Sequence, residues 1–116
     1  MSHPAPISPG QQVRWVGRVA IVAVHGDIDL SHSVEFQHQL LLLIDEKPER
    51  LIVDLTDVPY MDSSGVASLV KVLSRARKAG SNLTLVGLSP RVKSLFQITR
   101  LDGVFHIVAT EKDALA

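Results

Sequence analysis

The chain has 116 residues, 46% of them apolar, with 12 Lys or Arg, 12 Asp or Glu and no cysteine. This length and apolar share predict one domain with an ordinary hydrophobic core and exclude a disordered chain. The zero formal net charge disfavours direct binding to nucleic acid, which calls for a basic surplus, and the lack of cysteine excludes disulfides and thiolate metal sites.

The first ten residues contain three prolines and no apolar run. We therefore predict a flexible N-terminal arm over residues 1–10, not a signal peptide, followed by one domain over residues 11–116. The longest apolar stretches, such as residues 40–44, are too short to cross a bilayer, so we expect no membrane insertion. The absence of cysteine fits a reducing compartment, and these features together predict a cytoplasmic protein.

The first predicted elements are two strands, over residues 13–16 and 19–24, on either side of Gly17 and Arg18. A glycine turn between runs rich in β-branched residues is typical of an antiparallel hairpin. Residues 26–29 end the second strand.

A first helix follows, with Ser31 or Ser33 as its predicted N-cap. The apolar residues that recur at i, i+4 and i+7 are Phe36, Leu40 and Leu43.

Three more strands and three more helices are predicted to alternate along the rest of the chain. The strands are predicted over residues 51–55, 83–86 and 104–108. The helices are predicted to begin within residues 62–65, at Ser89-Pro90 and at Thr110. The buried stripe of the second helix is predicted to consist of Val66, Leu69, Val70 and Leu73. Gly80 is a suitable left-handed C-cap, and Ser89 followed by Pro90 is a typical helix start.

This order of elements predicts an α/β fold. Strands separated by helices pair in parallel through right-handed crossovers, and the opening hairpin adds an antiparallel edge. We therefore expect a mixed, mostly parallel sheet with an N-terminal antiparallel hairpin and about four α-helices.

The most informative stretch lies where the strand over residues 51–55 ends. A loop over residues 56–61 leads to Asp62-Ser63-Ser64-Gly65, which places serines at the N-terminus of a helix beyond the carboxyl end of a parallel strand. Open α/β sheets bind ligands and partners at such positions, and helix N-termini tolerate phosphate. These residues alone leave open whether the polar side chains are only helix caps. Gly65 is interpreted as keeping the backbone open, and Tyr60 and Met61 as apolar loop residues of a docking surface.

At this point the chain resembles the STAS-domain anti-sigma factor antagonists of bacteria, from about residue 13 to residue 115. The stretches that carry the resemblance are Gly-Asp-Ile-Asp at 26–29, Leu-Ile-Val-Asp-Leu at 51–55, Tyr-Met-Asp-Ser-Ser-Gly at 60–65 and Ser-Pro-Arg-Val-Lys-Ser-Leu-Phe at 89–96. The resemblance implies a single STAS-like domain with Ser63 as the phosphoacceptor. The residues implied to surround it or to bind the partner are Asp27, Asp29, Tyr60, Met61, Asp62, Ser64 and Gly65. One departure is Ala67, which stands where the family often has a second glycine. Its methyl group would limit how closely a kinase approaches, so the identity of the partner stays open.

The resemblance also implies partners and a cycle. The unphosphorylated protein would bind an anti-sigma factor that is also a serine kinase and thereby free a sigma factor. Phosphorylation of Ser63 would break this complex, and a PP2C-type phosphatase would reset it. The protein itself would not be an enzyme and would use no cofactor, while its oligomeric state stays open.

Three alternatives come from different protein classes. A receiver-type domain would use Asp54, Asp57 or Asp62 as acceptor, but it needs an acidic pair after the first strand and a lysine after the last. A serine hydrolase needs a glycine two residues before its nucleophile, where this chain has Met61. The third alternative is a STAS scaffold that is never phosphorylated, as a subunit of a signalling assembly or of a lipid or anion transporter complex.

The remaining polar residues carry weaker signals. The histidines show no metal-ligand spacing, and His106 is predicted to lie in a strand. The basic residues of the second and third helices are predicted to be solvated surface rather than contacts for membrane-associated partners; these are Arg75, Arg77, Lys78, Arg91 and Lys93.

Overall fold

A five-stranded sheet with the strand order β1-β2-β3-β4-β5 is the frame of the structure, a computed structural model that describes residues 11–116. The strands are β1 (Gln11–Val16), β2 (Val19–His25), β3 (Arg50–Asp57), β4 (Asn82–Val86) and β5 (His106–Val108). The helices are α1 (Ser33–Asp45), α2 (Ser63–Ala79), α3 (Pro90–Ile98) and α4 (Glu111–Leu115), with one turn of 3-10 helix at Leu101–Gly103. The arm predicted over residues 1–10 lies outside the described residues, so it stays a prediction, as does the boundary at residue 11.

The sheet is mixed, as the sequence predicts. β1 and β2 are antiparallel and meet at the pair Val16 and Val19, across a turn in which Gly17 has φ 59°. All other neighbouring strands are parallel, and each of these pairs is connected by a helix. The predicted fold class and the order of elements are therefore confirmed.

Alternation along the strands separates two faces of the sheet. On one face, α1, α2 and α3 cover the main core, which includes Val22, Val53 and Leu85. On the other face, the short helix α4 covers a smaller cluster consisting of Ile21, Ile52, Val86 and Ala114. Burying each large apolar side chain contributes about 1.5–3 kcal/mol, so the main core dominates the stability and positions the helices above the sheet.

Several predicted helix ends are confirmed in atomic detail. The hydroxyl of Ser89 accepts a hydrogen bond from the N–H of Val92 at 3.3 Å, with Pro90 in the first turn of α3. Gly80 ends α2 in the left-handed conformation with φ 77°. No helix within residues 11–116 is long and apolar enough to cross a membrane.

The start of α1 differs from the prediction, because neither Ser31 nor Ser33 caps it. The N-cap is His32, and no side chain accepts a hydrogen bond there. The main-chain oxygen of Asp29 instead accepts hydrogen bonds from the N–H groups of His32 and Ser33, at 3.0 and 2.9 Å. Asp29 thus supplies the oxygen that a capping serine would have provided, and Ser33 is buried.

Other predicted boundaries need small corrections. β3 continues through residues 56 and 57, predicted as loop, because Asp57 pairs with His25 of β2. β5 begins at His106 rather than at residue 104. The turn of 3-10 helix at Leu101–Gly103 comes just before it, and Val104 is exposed. Val70 is 41% exposed. The buried apolar side chains of α2 are instead Val66, Leu69, Val72, Leu73 and Ala76.

Candidate functional site

Two loops meet at the carboxyl ends of β2 and β3. Ile28, after β2, forms an isolated parallel bridge with Met61, after β3. The N–H of Ile28 donates to the carbonyl oxygen of Tyr60 at 3.0 Å, and the N–H of Asp62 donates to the carbonyl oxygen of Ile28 at 3.2 Å. This bridge brings together the two sequence stretches, 26–29 and 60–65, that the prediction associates with one site.

Asp62 is the centre of this junction. It is the N-cap of α2, and its Oδ1 accepts hydrogen bonds from the N–H groups of Ser64 at 2.9 Å and Gly65 at 3.4 Å. Its Oδ2 accepts a hydrogen bond from the N–H of Leu30 at 3.1 Å. The carboxylate therefore joins the start of α2 to the loop after β2.

The hydrogen bonds to Asp62 also stabilise its charged form. The hydroxyl of Ser64 donates to Oδ1 and makes the largest contribution to lowering the pKa of Asp62 below its ordinary value. Burial raises this pKa, but the N–H groups of Ser64, Gly65 and Leu30 lower it further. Asp62 is thus a fixed negative charge beside Ser63 at neutral pH.

The two serines of the site are not equivalent. Ser63 is the first residue of α2, is exposed, and its hydroxyl makes no hydrogen bond within residues 11–116. Ser64 is half-buried, and its hydroxyl donates to Asp62. Of these two serines, Ser63 is the one with an exposed hydroxyl that has no hydrogen-bond partner within residues 11–116, and it lies at the helix N-terminus, as predicted.

Gly65 and Met61 have roles that differ from the predicted ones. Met61 is only 3% exposed and belongs to the core, so it is not part of a docking surface. Gly65 is buried, and a Cβ atom there would lie 2.5 Å from Cγ of Met61 and 2.9 Å from Cγ2 of Ile28. Gly65 therefore allows close packing of α2 against the loop, rather than keeping the backbone open.

Tyr60, Asp27 and Asp29 lie around the same end of the sheet. Tyr60 is exposed, and the guanidinium of Arg91 lies 5.9 Å from the centre of its ring. Asp27 is exposed, whereas Oδ1 of Asp29 accepts a hydrogen bond from the N–H of Ser31 at 3.0 Å and lies 2.8 Å from Nδ1 of His32. Asp29 thus stabilises the loop after β2 through its hydrogen bond, whereas Asp27 and Tyr60 are part of the exposed surface at this end of the sheet.

Two exposed apolar side chains near the junction of the two loops were not predicted from the sequence. Leu30 and Val34 are 75% and 76% exposed, and Leu30 is tied to the site by its hydrogen bond to Asp62. Val34 follows in the first turn of α1, where the buried hydroxyl of Ser68 of α2 donates to the carbonyl oxygen of Ser33 at 3.1 Å. Residue type alone did not indicate their exposure, because apolar side chains near a helix start are expected in the core. Exposed apolar side chains that lie together are typical of a surface that binds another protein.

The acidic and histidine side chains of the chain do not form a metal centre in the part that the structure describes. Residues 11–116 contain no group of three or more His, Asp or Glu side chains that could hold a metal ion. His106 lies in β5, as predicted, and is exposed.

These features define a class: a small α/β domain with an accessible serine at the start of a helix, beyond the carboxyl end of a parallel strand. The sequence model of the STAS domain family matches residues 11–114. The chain belongs to the STAS domain family, and the resemblance predicted from its motifs is confirmed.

Individual relatives agree with this assignment. An anti-sigma-B factor antagonist of Listeria monocytogenes is 34% identical over 90 residues, which is 78% of this chain and 79% of the relative. The crystal structure of an anti-sigma factor antagonist from Mycobacterium paratuberculosis is similar with a TM-score of 0.83 and 25% identity, over 90% of this chain and 89% of that chain. The phosphorylated form of the Bacillus cell fate determinant SpoIIAA has the same fold, with a TM-score of 0.71 and 21% identity over 91% of this chain and 96% of that chain.

Proposed function

We propose that this protein is an anti-sigma factor antagonist of the cytoplasm that is switched by phosphorylation of Ser63. The unphosphorylated form binds an anti-sigma factor, which is also the serine kinase, and thereby frees a sigma factor. The observation that carries the proposal is the exposed residue Ser63, whose hydroxyl makes no hydrogen bond within residues 11–116, next in the chain to Asp62, which accepts a hydrogen bond from the N–H of the exposed Leu30. The names of the relatives support the same class of activity.

Phosphorylation of Ser63 should leave the fold intact. Ser63 is exposed in the first turn of α2, where the helix dipole stabilises a negative charge by about 0.3–1 kcal/mol. Asp62 already accepts hydrogen bonds from the N–H groups of Ser64, Gly65 and Val66, so these donors are occupied. The phosphate therefore gains little from the helix and is opposed by the charge of Asp62, and it is expected to remain in solvent.

The effect of phosphorylation must then act on the complex. The phosphate adds about −1.5 to −2 charges to a surface that includes Leu30 and Val34. Burying this charge in an apolar interface costs several kcal/mol unless the partner pairs with it. A loss of about 3 kcal/mol weakens binding roughly a hundredfold, which is enough for a switch.

The proposal is tested by co-expressing the protein with candidate serine kinases of its own genome and measuring its intact mass. We expect a gain of one phosphate that is lost in Ser63→Ala and retained in the matched control Ser64→Ala. The unphosphorylated form should bind the kinase, and the phosphorylated form should bind about a hundredfold more weakly. A PP2C-type phosphatase should remove the phosphate and restore binding.

Two outcomes would overturn the proposal in different ways. A phosphate that persists in Ser63→Ala would place the acceptor elsewhere. A stable complex without phosphate, with every kinase tested, would favour the scaffold function in a signalling assembly or a transporter complex. Amide spectra of the two forms should differ only near residues 60–66, and widespread changes would contradict a local switch.

A further inference from the structure

A cavity lies at the opposite end of the sheet from Ser63. β5 has only three residues and pairs with β4 from Thr84 onward, so the first two residues of β4 have no neighbour on the β5 side within residues 11–116. The chain instead approaches β5 through the turn of 3-10 helix, and a cavity of about 270 Å³ remains beside α2. The short last strand is thus the origin of the cavity.

The wall of this cavity is rich in hydrogen-bond donors. The residues that line it include Arg50, Arg77, Asn82 and His106, and none of the lining residues is Asp or Glu. One N–H of Arg50 donates to the carbonyl oxygen of Ala114, and the guanidinium has further N–H groups to offer. A cavity lined by two arginines and no carboxylate favours an anion.

Thr84 gives independent evidence for a ligand. It lines the same cavity and is only 2% exposed, and its hydroxyl has no hydrogen-bond partner within residues 11–116. Buried hydroxyl groups are nearly always hydrogen-bonded, because an unpaired one destabilises the fold. A ligand in the cavity would supply the missing partner.

The other wall of the cavity is apolar. It is formed by Leu73 of α2 and by Val104, which is exposed. The same two residues and Arg77 also line an adjacent depression that runs along α2 from Val70 to Lys78. A ligand that combines an anionic group with a small apolar part would contact both walls.

We propose that this cavity binds a small organic phosphate. A phosphate group suits this cavity because the lining residues Arg77, Arg50, His106 and Thr84 all carry groups that can donate hydrogen bonds to its oxygens. The volume is near the lower end for small-molecule pockets, which argues for a ligand of few atoms rather than a peptide. The apolar part of the ligand packs against Leu73.

This site is separate from the one at Ser63. Ser63 and Arg77 lie 14 residues apart in α2, which corresponds to about 21 Å along the helix axis. The inference therefore does not depend on the proposed function, and failure of either leaves the other standing. Arg75 and Arg77 are both exposed, as the sequence predicts, but Arg75 pairs with Asp45 at 3.5 Å and does not line the cavity.

The test is a titration of the full ¹⁵N-labelled chain with inorganic phosphate and with phenyl phosphate at constant ionic strength, followed by amide shifts. We expect saturable shifts at residues 82–84 and 106, and tighter binding of phenyl phosphate than of inorganic phosphate. Arg77→Gln should weaken binding about tenfold, whereas the matched control Arg75→Gln should change it by less than about twofold. Thr84→Val should also weaken binding without lowering the thermal stability, because the buried hydroxyl has no partner to lose.

Three results would overturn the inference. The first is the absence of saturable shifts at these residues up to about 20 mM of either probe, a concentration that still detects weak binding. The second is equal weakening by Arg75→Gln and Arg77→Gln, which would indicate a general electrostatic effect. The third is a set of shifts confined to residues 63–66, which would place the anion at the start of α2.

Discussion

Replacement of Asp62 by alanine is the sharpest test of how the site is built. The carboxylate accepts hydrogen bonds from the N–H groups of Ser64, Gly65 and Leu30. Alanine removes all of these acceptors at once, so both the start of α2 and its connection to the loop after β2 are affected. The packed core beneath, including Met61, is unchanged in composition, so the domain should still fold.

The expected loss follows from these contacts. Replacing an N-cap aspartate by alanine costs about 0.5–2 kcal/mol. The N–H of Leu30 adds less than about 1 kcal/mol, because water can replace the lost acceptor at this exposed position. We therefore expect Asp62→Ala to lower the free energy of unfolding by about 2 kcal/mol, a noticeable share of the 5–15 kcal/mol typical of a domain.

Urea denaturation followed by circular dichroism measures this loss. Asp62→Asn is the first control, since asparagine caps helices as well as aspartate does and should retain most of the stability. Asp27→Ala is the second, because Asp27 is an exposed aspartate at the same end of the sheet and should change stability by less than about 0.5 kcal/mol. Equal losses in Asp62→Ala and Asp27→Ala would refute the capping argument, and so would an unchanged stability of Asp62→Ala.

Two further predictions concern the same junction. Gly65→Ala places a methyl group 2.9 Å from Cγ2 of Ile28. Overpacking should outweigh the better helix propensity of alanine, so urea denaturation should show a free energy of unfolding lower by about 1–2 kcal/mol. A variant as stable as the natural chain would contradict the close packing. The second prediction concerns acid. Because the folded pKa of Asp62 is lowered, its stabilising effect is present above the unfolded value of about 3.9 and is lost as the pH falls through the folded value. The natural chain should therefore lose its stability advantage over Asp62→Asn as the pH is lowered from about 6 to about 2, the interval in which the carboxylate becomes protonated. A difference in stability that stays constant over this interval would show that the charge of Asp62 is not involved.

Much of the fold is readable from the sequence because the signals are local. The serine–proline pair at residues 89 and 90 and Gly80 act on the backbone within one turn of their own positions, so their effect does not depend on distant contacts. The same holds for Asp62, whose side chain caps a helix that begins one residue later. The position of Ser63 at the helix start could be predicted for this reason.

The start of α1 shows where local reasoning fails. Ser31 and Ser33 are good N-cap residues, but the main-chain oxygen of Asp29 accepts the hydrogen bonds that a cap would take. The path of that loop is fixed by its bridge to the loop after β3, through Ile28 and Met61. A capping preference of about 1 kcal/mol is overridden by such a tertiary constraint.

The sequence by itself thus determined the α/β order, both ends of α2, the start of α3 and the place of Ser63, because each of these rests on neighbours in the chain. Only the tertiary structure decided that Met61 is buried, that Gly65 is needed for close packing and that Leu30 is exposed beside the site. It alone also brought Thr84 and Arg77 to one cavity. These features depend on contacts between segments far apart in sequence, and residue type alone does not specify which segments meet.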